Sequence, residues 1–261
     1  MANALNITEA EILNWIAAFI WPLLRISALF VAMPLFSIRA VPAMVRVILT
    51  LAMTLFIMPL LPPMTTVDLF SATGFSIAIQ QIAIGLTIGF ILQMVFGAVV
   101  FAGQGVALGM GLGFASMVDP QNGQQVPVVA QFYVITMTLV FLSLDGHLLV
   151  IKMLLDSFTT LPINLDGIDR EDLWLIAAWG SRVFASGLLL SMPIIVSLLL
   201  VNICLGVAAR AAPQLNIFSV GFPATLLLGI LLIWLTLPAM LEQFSGTLTD
   251  AYDFIEKLLH L

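Results

Sequence analysis

The sequence contains little charge, one cysteine and two histidines. Only 8% of the 261 residues are Asp, Glu, Lys or Arg, whereas 62% are hydrophobic, which is far from the balance of a soluble globular domain. The net charge is −6 and the basic residues are not clustered, so nucleic acid and anionic lipid surfaces are poor candidate partners. The composition predicts one membrane-embedded domain over residues 1–261, in contact with membrane lipid.

The sequence also lacks the motifs of catalysis and of cofactor binding. It contains no GxSxG elbow, no HExxH pair, no Walker loop and no GxGxxG fingerprint after a strand. No cluster of His, Cys and carboxylates has the spacing of a metal site. Cys204 lies in an apolar run, where a small buried hydrophobe is the ordinary interpretation. We therefore expect a protein that is not an enzyme and that holds no cofactor or metal.

Hydrophobic stretches separated by helix-breaking or polar residues cover most of the chain. Pro62 and Pro63 end the second stretch, and Asp145-Gly146 interrupts the fourth. Pro193 lies inside the fifth, which indicates a kink or two stacked pieces. The pattern predicts an all-α integral membrane protein with about six hydrophobic segments. These are residues 12–36, 45–61, 75–101, 126–144 with a shorter piece to 155, 173–209 and 215–241.

Charged residues concentrate between and after these segments. Residues 156–172 carry several carboxylates but only one basic side chain, so we expect an exposed acidic loop there. Residues 242–261 are predicted to form an amphipathic acidic tail. Arg39, Arg46 and Arg210 fall between segments on the opposite side from the acidic loops, and the positive-inside rule then predicts that both termini lie outside the cytoplasm.

The longest uncharged run lies between Asp68 and Asp119. As one helix it would be roughly 75 Å long, whereas the hydrocarbon core of a bilayer is about 30 Å thick. The run must therefore bend, break or leave the membrane. Because glycine favours flexible backbone, we predict that the helix ends near Phe101 and that an irregular or broken element continues to Pro120. The glycines of this element are Gly103, Gly105, Gly109, Gly111 and Gly113.

This glycine-rich run also carries large apolar side chains, which makes it a candidate gate. Such side chains on a flexible backbone can seal a pore by apolar constriction and still be displaced. Filling a helical core is an equally good interpretation. The earlier pair Gly85 and Gly89 is expected to serve plain helix packing. The candidate seal residues are Met110, Leu112, Phe114 and Met117.

A few charged or polar residues lie within or beside apolar segments. Arg25 and Arg182 are far from segment ends, where an unpartnered charge costs at least ~2.5 kcal/mol. Each is expected to pair with a carboxylate or to face water or another subunit, and a structural ion pair is favoured over substrate binding. Asp145, His147 and Lys152 form a second polar group. We interpret it as an interface at the membrane edge, with a proton relay as the alternative.

Several short motifs occur in order along the chain. The first two are Trp-Pro-Leu-Leu-Arg at 21–25 and Arg-Ala-Val-Pro at 39–42. Gly-Met-Gly at 109–111 leads through Phe-Ala at 114–115 to Val-Asp-Pro at 118–120, and Gly-His-Leu at 146–148 precedes Asp-Ser-Phe at 156–158 and Leu-Pro-Ile at 161–163. The last are Ala-Pro-Gln-Leu-Asn-Ile-Phe at 212–218 and Gly-Phe-Pro at 221–223. Together they resemble the FliR family of type III secretion export gate subunits, with Val41 where isoleucine is more usual.

The resemblance implies a multi-pass protein of the bacterial inner membrane at the flagellar basal body. FliR-like subunits assemble with FliP and FliQ into a closed helical gate, associate with FlhB, and conduct unfolded flagellar proteins out of the cytoplasm. Their segments pack as tilted, bent or broken helical hairpins in a hetero-oligomeric gate raised toward the periplasm. A straight six-span topology is therefore expected to fail in detail. By the same resemblance, residues 103–120 are the pore plug.

Other functions would leave different patterns in the sequence. A virulence type III secretion subunit is the related alternative, although the motifs at 214–218 and 221–223 favour the flagellar branch. A small-solute transporter would show inverted repeats, and the glycine-rich run has no counterpart in the second half. An intramembrane hydrolase would need a nucleophile beside a base, and His147 has no motif-defined serine partner. A structural scaffold without a pore is a further alternative.

Overall fold

The computed structural model describes residues 9–37, 41–61, 71–113, 127–165, 167–211 and 217–261, and these residues are helical with short turns and no strand. The all-α prediction is therefore confirmed. The helices are α1 (Glu9–Ala32), α2 (Pro34–Ser37), α3 (Ala43–Ile57), α4 (Ala72–Gly109), α5 (Val128–Ser143), α6 (Gly146–Thr160), α7 (Arg170–Ala211) and α8 (Ile217–Leu259). A 3-10 turn, Met58–Leu60, follows α3.

Most of these helices are long and apolar enough to cross a bilayer. Five described helices qualify alone, and there are up to six spans if α5 and α6 together form one broken span. This confirms the prediction of about six hydrophobic segments. At about 1.5 Å per residue, α4, α7 and α8 with 38, 42 and 43 residues are roughly twice as long as a bilayer core is thick. Parts of them must extend beyond the hydrocarbon.

The end of α4 differs from the sequence prediction. The helix continues past Phe101 to Gly109, so the expected irregular backbone is wrong for Gly103, Gly105 and Gly109. A glycine inside a helix costs only about 1 kcal/mol relative to alanine. The stabilisation that these glycines gain from close packing against neighbouring helices offsets that cost. The helix therefore breaks later, at Met110.

Several other boundaries also move because helices continue into predicted loops. The acidic loop predicted over 156–172 shortens, since α6 extends to Thr160 and α7 begins at Arg170. Asp169 and Asp172 cap α7 reciprocally: the Asp172 amide donates to Asp169 Oδ1 (2.9 Å) and the Asp169 amide to Asp172 Oδ2 (3.1 Å). The predicted tail at 242–261 is the continuation of α8 as far as Leu259. In contrast, the break at Asp145 is confirmed, with a left-handed φ of 55°.

The chain divides into two compact units, and α4, α7 and α8 contribute residues to both. The first unit comprises Met1–Gln93, Asp145–Ala178 and Ala251–Leu261. Within it α1 and α4 approach closely at two glycines. A Cβ at Gly85 would overlap the Arg25 carbonyl oxygen, and one at Gly89 would lie 2.5 Å from Ala32 Cβ. The prediction of plain helix packing at this glycine pair is confirmed.

The second unit comprises Met94–Leu144 and Trp179–Asp250. Its core contains an aromatic cluster in which the Phe96 ring lies edge-on to Phe141 (5.9 Å between centroids) and to Phe244 (5.7 Å). Such edge-to-face pairs add roughly 0.5–1.5 kcal/mol beyond the burial of their surface. The cluster joins α4, α5 and α8. That the whole chain is one membrane-embedded domain stays a prediction.

Candidate gate segment and buried arginine

The α4 helix ends inside the predicted gate segment, residues 103–120, in a glycine-terminated turn. Gly111 has a φ of 83°, which suits glycine and strains any side-chain-bearing residue. The Leu112 amide donates to the Ala107 carbonyl (2.9 Å) and the Gly111 amide to the Leu108 carbonyl (3.0 Å). This pair of bonds is the Schellman arrangement that closes a helix C-terminus. The chain therefore leaves α4 through a defined turn at residues 110–112.

Met110 points into the core of the second unit and is 1% exposed. It packs on α8 at Gly229, where an added Cβ would lie 2.5 Å from Met110 Cγ and 2.8 Å from Met110 Sδ. The Thr225 hydroxyl lies 3.4 Å from the Met110 carbonyl oxygen and 3.0 Å from that of Phe222. Leu112 and Gly113 are half-buried, whereas Phe114 and Met117 are outside the described residues.

The three helical glycines of the predicted gate segment are sites of close helix approach. A Cβ at Gly103 would overlap the Ala130 backbone of α5. At Gly105 it would lie 3.0 Å from Ile195 Cδ1, and at Gly109 it would lie 3.3 Å from Leu198 Cδ1. These positions therefore support α4 in its packing against α5 and α7. The part of the predicted segment with non-helical backbone starts after them.

Arg25 lies in the first unit and its side chain is completely buried. Its Nε donates to Gln81 Oε1 of α4 (2.8 Å), and its Nη1 donates to the backbone oxygen (2.9 Å) and hydroxyl (3.0 Å) of Ser157 in α6. Its Nη2 donates to the Leu161 carbonyl (2.8 Å). The guanidinium carbon also lies 4.1 Å from the centroid of the Phe158 ring, a favourable cation–π distance.

The partners of Arg25 correct the sequence prediction of a carboxylate pair. All four hydrogen bonds go to neutral oxygens, and the side chain faces neither water nor a free surface. Charge-assisted hydrogen bonds are stronger than neutral ones, and the planar fork of arginine reaches several acceptors at once. Arg25 therefore ties α1 to α4 and α6. The Trp-Pro-Leu-Leu-Arg motif was the signal for this residue, whereas nothing in the sequence marked Gln81 or Ser157 as its partners.

Arg182 forms an ion pair with a carboxylate, which was one of the predicted arrangements. Its Nη1 lies 3.1 Å from Asp250 Oδ2, so the pair links α7 to α8, with 58% and 57% of the two side chains exposed. The prediction of a carboxylate partner is confirmed here. Asp250 itself belonged to the predicted tail, which is why sequence reasoning did not identify it. An ion pair this exposed contributes little to stability in water. In a membrane complex, its contribution depends on the polarity of its surroundings.

The remaining predicted polar residues do not form a joined site. Among the residues that the structure describes, no side-chain hydrogen bond or ion pair connects Asp145, His147 and Lys152, and His147 Nδ1 is buried without a partner. The geometry gives no support to the alternative of a proton relay through these three groups. Arg210 lies exposed in the last turn of α7, where a cation favours the helix dipole.

The long apolar helices of the described residues define a multi-pass helical membrane protein. Residues 16–251 match the family described as "Bacterial export proteins, family 1". The chain is 41% identical to the flagellar biosynthetic protein FliR of Escherichia coli (strain K12) and 40% identical to that of Pectobacterium carotovorum subsp. carotovorum, each over 98% of this chain and 97% of the relative. It is 33% identical to FliR of Bacillus subtilis (strain 168), over 96% and 98% of the two chains. The chain belongs to this export family and to its FliR members.

Proposed function

We propose that this chain is a non-enzymatic subunit of the flagellar type III protein export gate in the bacterial inner membrane, at the basal body. It would help to form and seal the channel through which unfolded flagellar proteins leave the cytoplasm. FliP, FliQ and FlhB would be its partners. The observation that carries the sealing role is the turn at residues 110–112, which ends α4 and carries the buried apolar side chain of Met110.

The distribution of apolar surface supports assembly with other membrane subunits. In the most apolar stretch of each helix, 61% of the residues of α4 are buried, whereas only 17% are buried in α3, 22% in α7 and 17% in α8. Large side chains such as Phe56, Leu200 and Trp234 are exposed. Apolar surface of this extent needs lipid or a protein partner to cover it. We expect α3, α7 and α8 to face partner subunits or lipid in the assembled gate.

The seal can be tested by measuring ion leak across the inner membrane. The variant deletes residues 111–113, because the preceding glycines belong to the packed helix α4 and their loss would damage the core. It is co-expressed with the partner subunits in a strain lacking its own FliR. We expect higher salt sensitivity and conductance than with the unmodified chain, while the complex remains assembled. The matched control is Gly206→Ala, since an added Cβ at Gly206 meets nothing within 4 Å.

The flagellar assignment is tested separately in the same strain. The unmodified chain should restore secretion of flagellar proteins into the medium. Failure to restore it with the chain's own partners present would contradict the flagellar role. An assembled deletion variant with unchanged permeability would instead remove only the sealing role and return residues 110–113 to plain packing. Export of virulence effectors but not flagellar proteins would favour the other branch of type III secretion.

A further inference from the structure

The stretch formed by α3 and the 3-10 turn after it, Ala43–Leu60, has the length of a single membrane crossing. Its 18 residues extend over roughly 27 Å at about 1.5 Å per residue, and the hydrocarbon core of a bilayer is about 30 Å thick. The helices α4, α7 and α8, with 38, 42 and 43 residues, are too long for one core. The length of α3 therefore suits a helix that is surrounded by lipid.

The polar side chains of α3 point inward and its apolar side chains point outward. Thr50 and Thr54 are 5% and 0% exposed, and each hydroxyl donates to a carbonyl oxygen one turn earlier in the helix at 2.8 Å. Both hydroxyls are thus satisfied within α3. The outward side chains are 38–78% exposed, and they are Met44, Val45, Val47, Ile48, Leu51, Leu55 and Phe56.

This outward face lacks the small residues that bring membrane helices together. Helices in a membrane pack closely where glycine, alanine or serine allows two backbones to approach, as Gly85 and Gly89 do between α4 and α1. Between Met44 and Phe56, every exposed residue of α3 is a large apolar one. The composition of this face therefore favours acyl chains over a second helix.

Arg46 adds one positive charge near the beginning of this face. Its Nη2 donates to the Val41 carbonyl oxygen (3.2 Å), while its Nε is buried without a hydrogen-bond partner. The sequence contains no carboxylate between Glu11 and Asp68, and Arg46 forms no ion pair with any residue that the structure describes. The complementary group is an anion from outside the chain. Arginine is suited to phosphate, because its planar fork can donate two hydrogen bonds to one phosphate group.

We propose that α3 faces the bilayer and that Arg46 binds the phosphate of an anionic phospholipid, whose acyl chains lie along Ile48, Leu51 and Leu55. These three residues are spaced at i, i+3 and i+7, so they share one face of the helix. The site holds one lipid at a defined position. It is therefore narrower than binding to an anionic membrane surface, which needs several clustered basic residues. The inference does not rest on the proposed export function.

A photoreactive side chain can identify what covers α3. p-Benzoylphenylalanine replaces Ile48 in one variant and Phe56 in another, and the chain is purified with the subunits that accompany it. Each preparation is placed in nanodiscs of equal parts phosphatidylglycerol and phosphatidylethanolamine, and mass spectrometry identifies the adducts after irradiation. The two positions are roughly 12 Å apart along the helix. The label at Ile48 therefore contacts lipids close to Arg46, and the label at Phe56 is the matched control near the other end of α3.

Both positions are expected to form lipid adducts, with different compositions. Adducts at Ile48 should be enriched in phosphatidylglycerol, whereas adducts at Phe56 should have the composition of the bilayer. Adducts with a protein subunit, or the absence of lipid adducts, would overturn lipid as the occupant of this face. Lipid adducts of equal composition at the two positions would overturn the site at Arg46.

Substitutions of Arg46 separate lipid binding from a structural role. In the Ile48-labelled chain, Arg46→Gln should abolish the enrichment in phosphatidylglycerol, whereas Arg46→Lys keeps a cation and should retain it. Arg170→Gln, at the exposed start of α7, is the control and should change nothing. Enrichment that persists in R46Q would contradict the proposal. If R46Q does not fold, R46K decides, since loss of the enrichment in a folded R46K protein would also contradict it.

Discussion

Arg25 carries its charge inside α1 and donates four hydrogen bonds to neutral oxygens of α4, α6 and the turn after α6. The Ser157 hydroxyl accepts one of these bonds and donates its own proton to the Leu154 carbonyl (2.6 Å), so the network is oriented. A buried cation of this kind is costly unless its donors are satisfied. Here oxygens from elements that are far apart in the sequence accept hydrogen bonds from the guanidinium and so satisfy its donors.

Replacing Arg25 should therefore destabilise the first unit whether or not the charge is kept. Arg25→Lys cannot reach Gln81, Ser157 and Leu161 together, and Arg25→Leu leaves their oxygens buried without a donor. Each lost hydrogen bond to a charged group is expected to cost about 1.5–3 kcal/mol. Thermal unfolding of the detergent-purified complex would measure the loss.

The control for Arg25 is Arg170→Ala, since Arg170 is exposed at the start of α7. It should leave the unfolding temperature nearly unchanged. If R25K matched the unmodified protein, the fork geometry would be unimportant and a single charge at this position would suffice.

At the scale of secondary structure, α4 is a helix whose glycines are contact points. Gly103 meets the backbone of Ala130, and Gly105 and Gly109 meet side chains of α7. The glycine-rich sequence was interpreted as flexible because isolated glycines weaken a helix. Close approach by α5 and α7 offsets that weakness, and α4 stays helical until Gly109.

Two glycine-to-alanine changes should then have opposite effects on stability. Gly103→Ala forces a Cβ into the Ala130 backbone and is expected to cost about 1–3 kcal/mol through overpacking. Gly206→Ala, in α7 with open space around it, should stabilise by up to about 1 kcal/mol through helix propensity. Thermal unfolding of the two purified variants measures both effects. A stabilising G103A would show that α4 and α5 do not approach as described.

At the scale of the whole molecule, large apolar surfaces remain uncovered on α3, α7 and α8. Soluble monomers rarely expose contiguous apolar patches of more than a few hundred Å². The lengths of α4, α7 and α8 also exceed a bilayer core. These two properties together favour a chain whose surface is completed by partner subunits and lipid.

Cys204 reports on this surface without any mutation, because it is the sole cysteine and is exposed on α7. A charged, membrane-impermeant maleimide should not label it in the assembled membrane complex, since lipid or a partner subunit covers that face. The same reagent should label it after denaturation in detergent. Mass spectrometry gives both results, and rapid labelling in the intact complex would show that this face of α7 meets water.

Much of the architecture was predictable from composition and periodicity. Backbone polar groups in lipid must be satisfied within the chain, so a sequence that is 62% hydrophobic with 8% charge leads to long helices. The break at Asp145 was also predictable, since Asp-Gly favours a turn. The turn that ends α4 was located only approximately, because the sequence showed which glycines were present but not which of them met another helix.

The sequence by itself determined the helical membrane class, the number of apolar segments, and the residues that mark the export family. Only the tertiary structure decided where α4 ends, which residue of α8 packs against Met110 and which oxygens accept the hydrogen bonds of Arg25. Gln81 and Leu161 lie 56 and 136 positions away from Arg25. No local pattern records a contact over such a separation. Likewise, a glycine destabilises its helix only slightly, and close packing by another helix offsets that loss of stability.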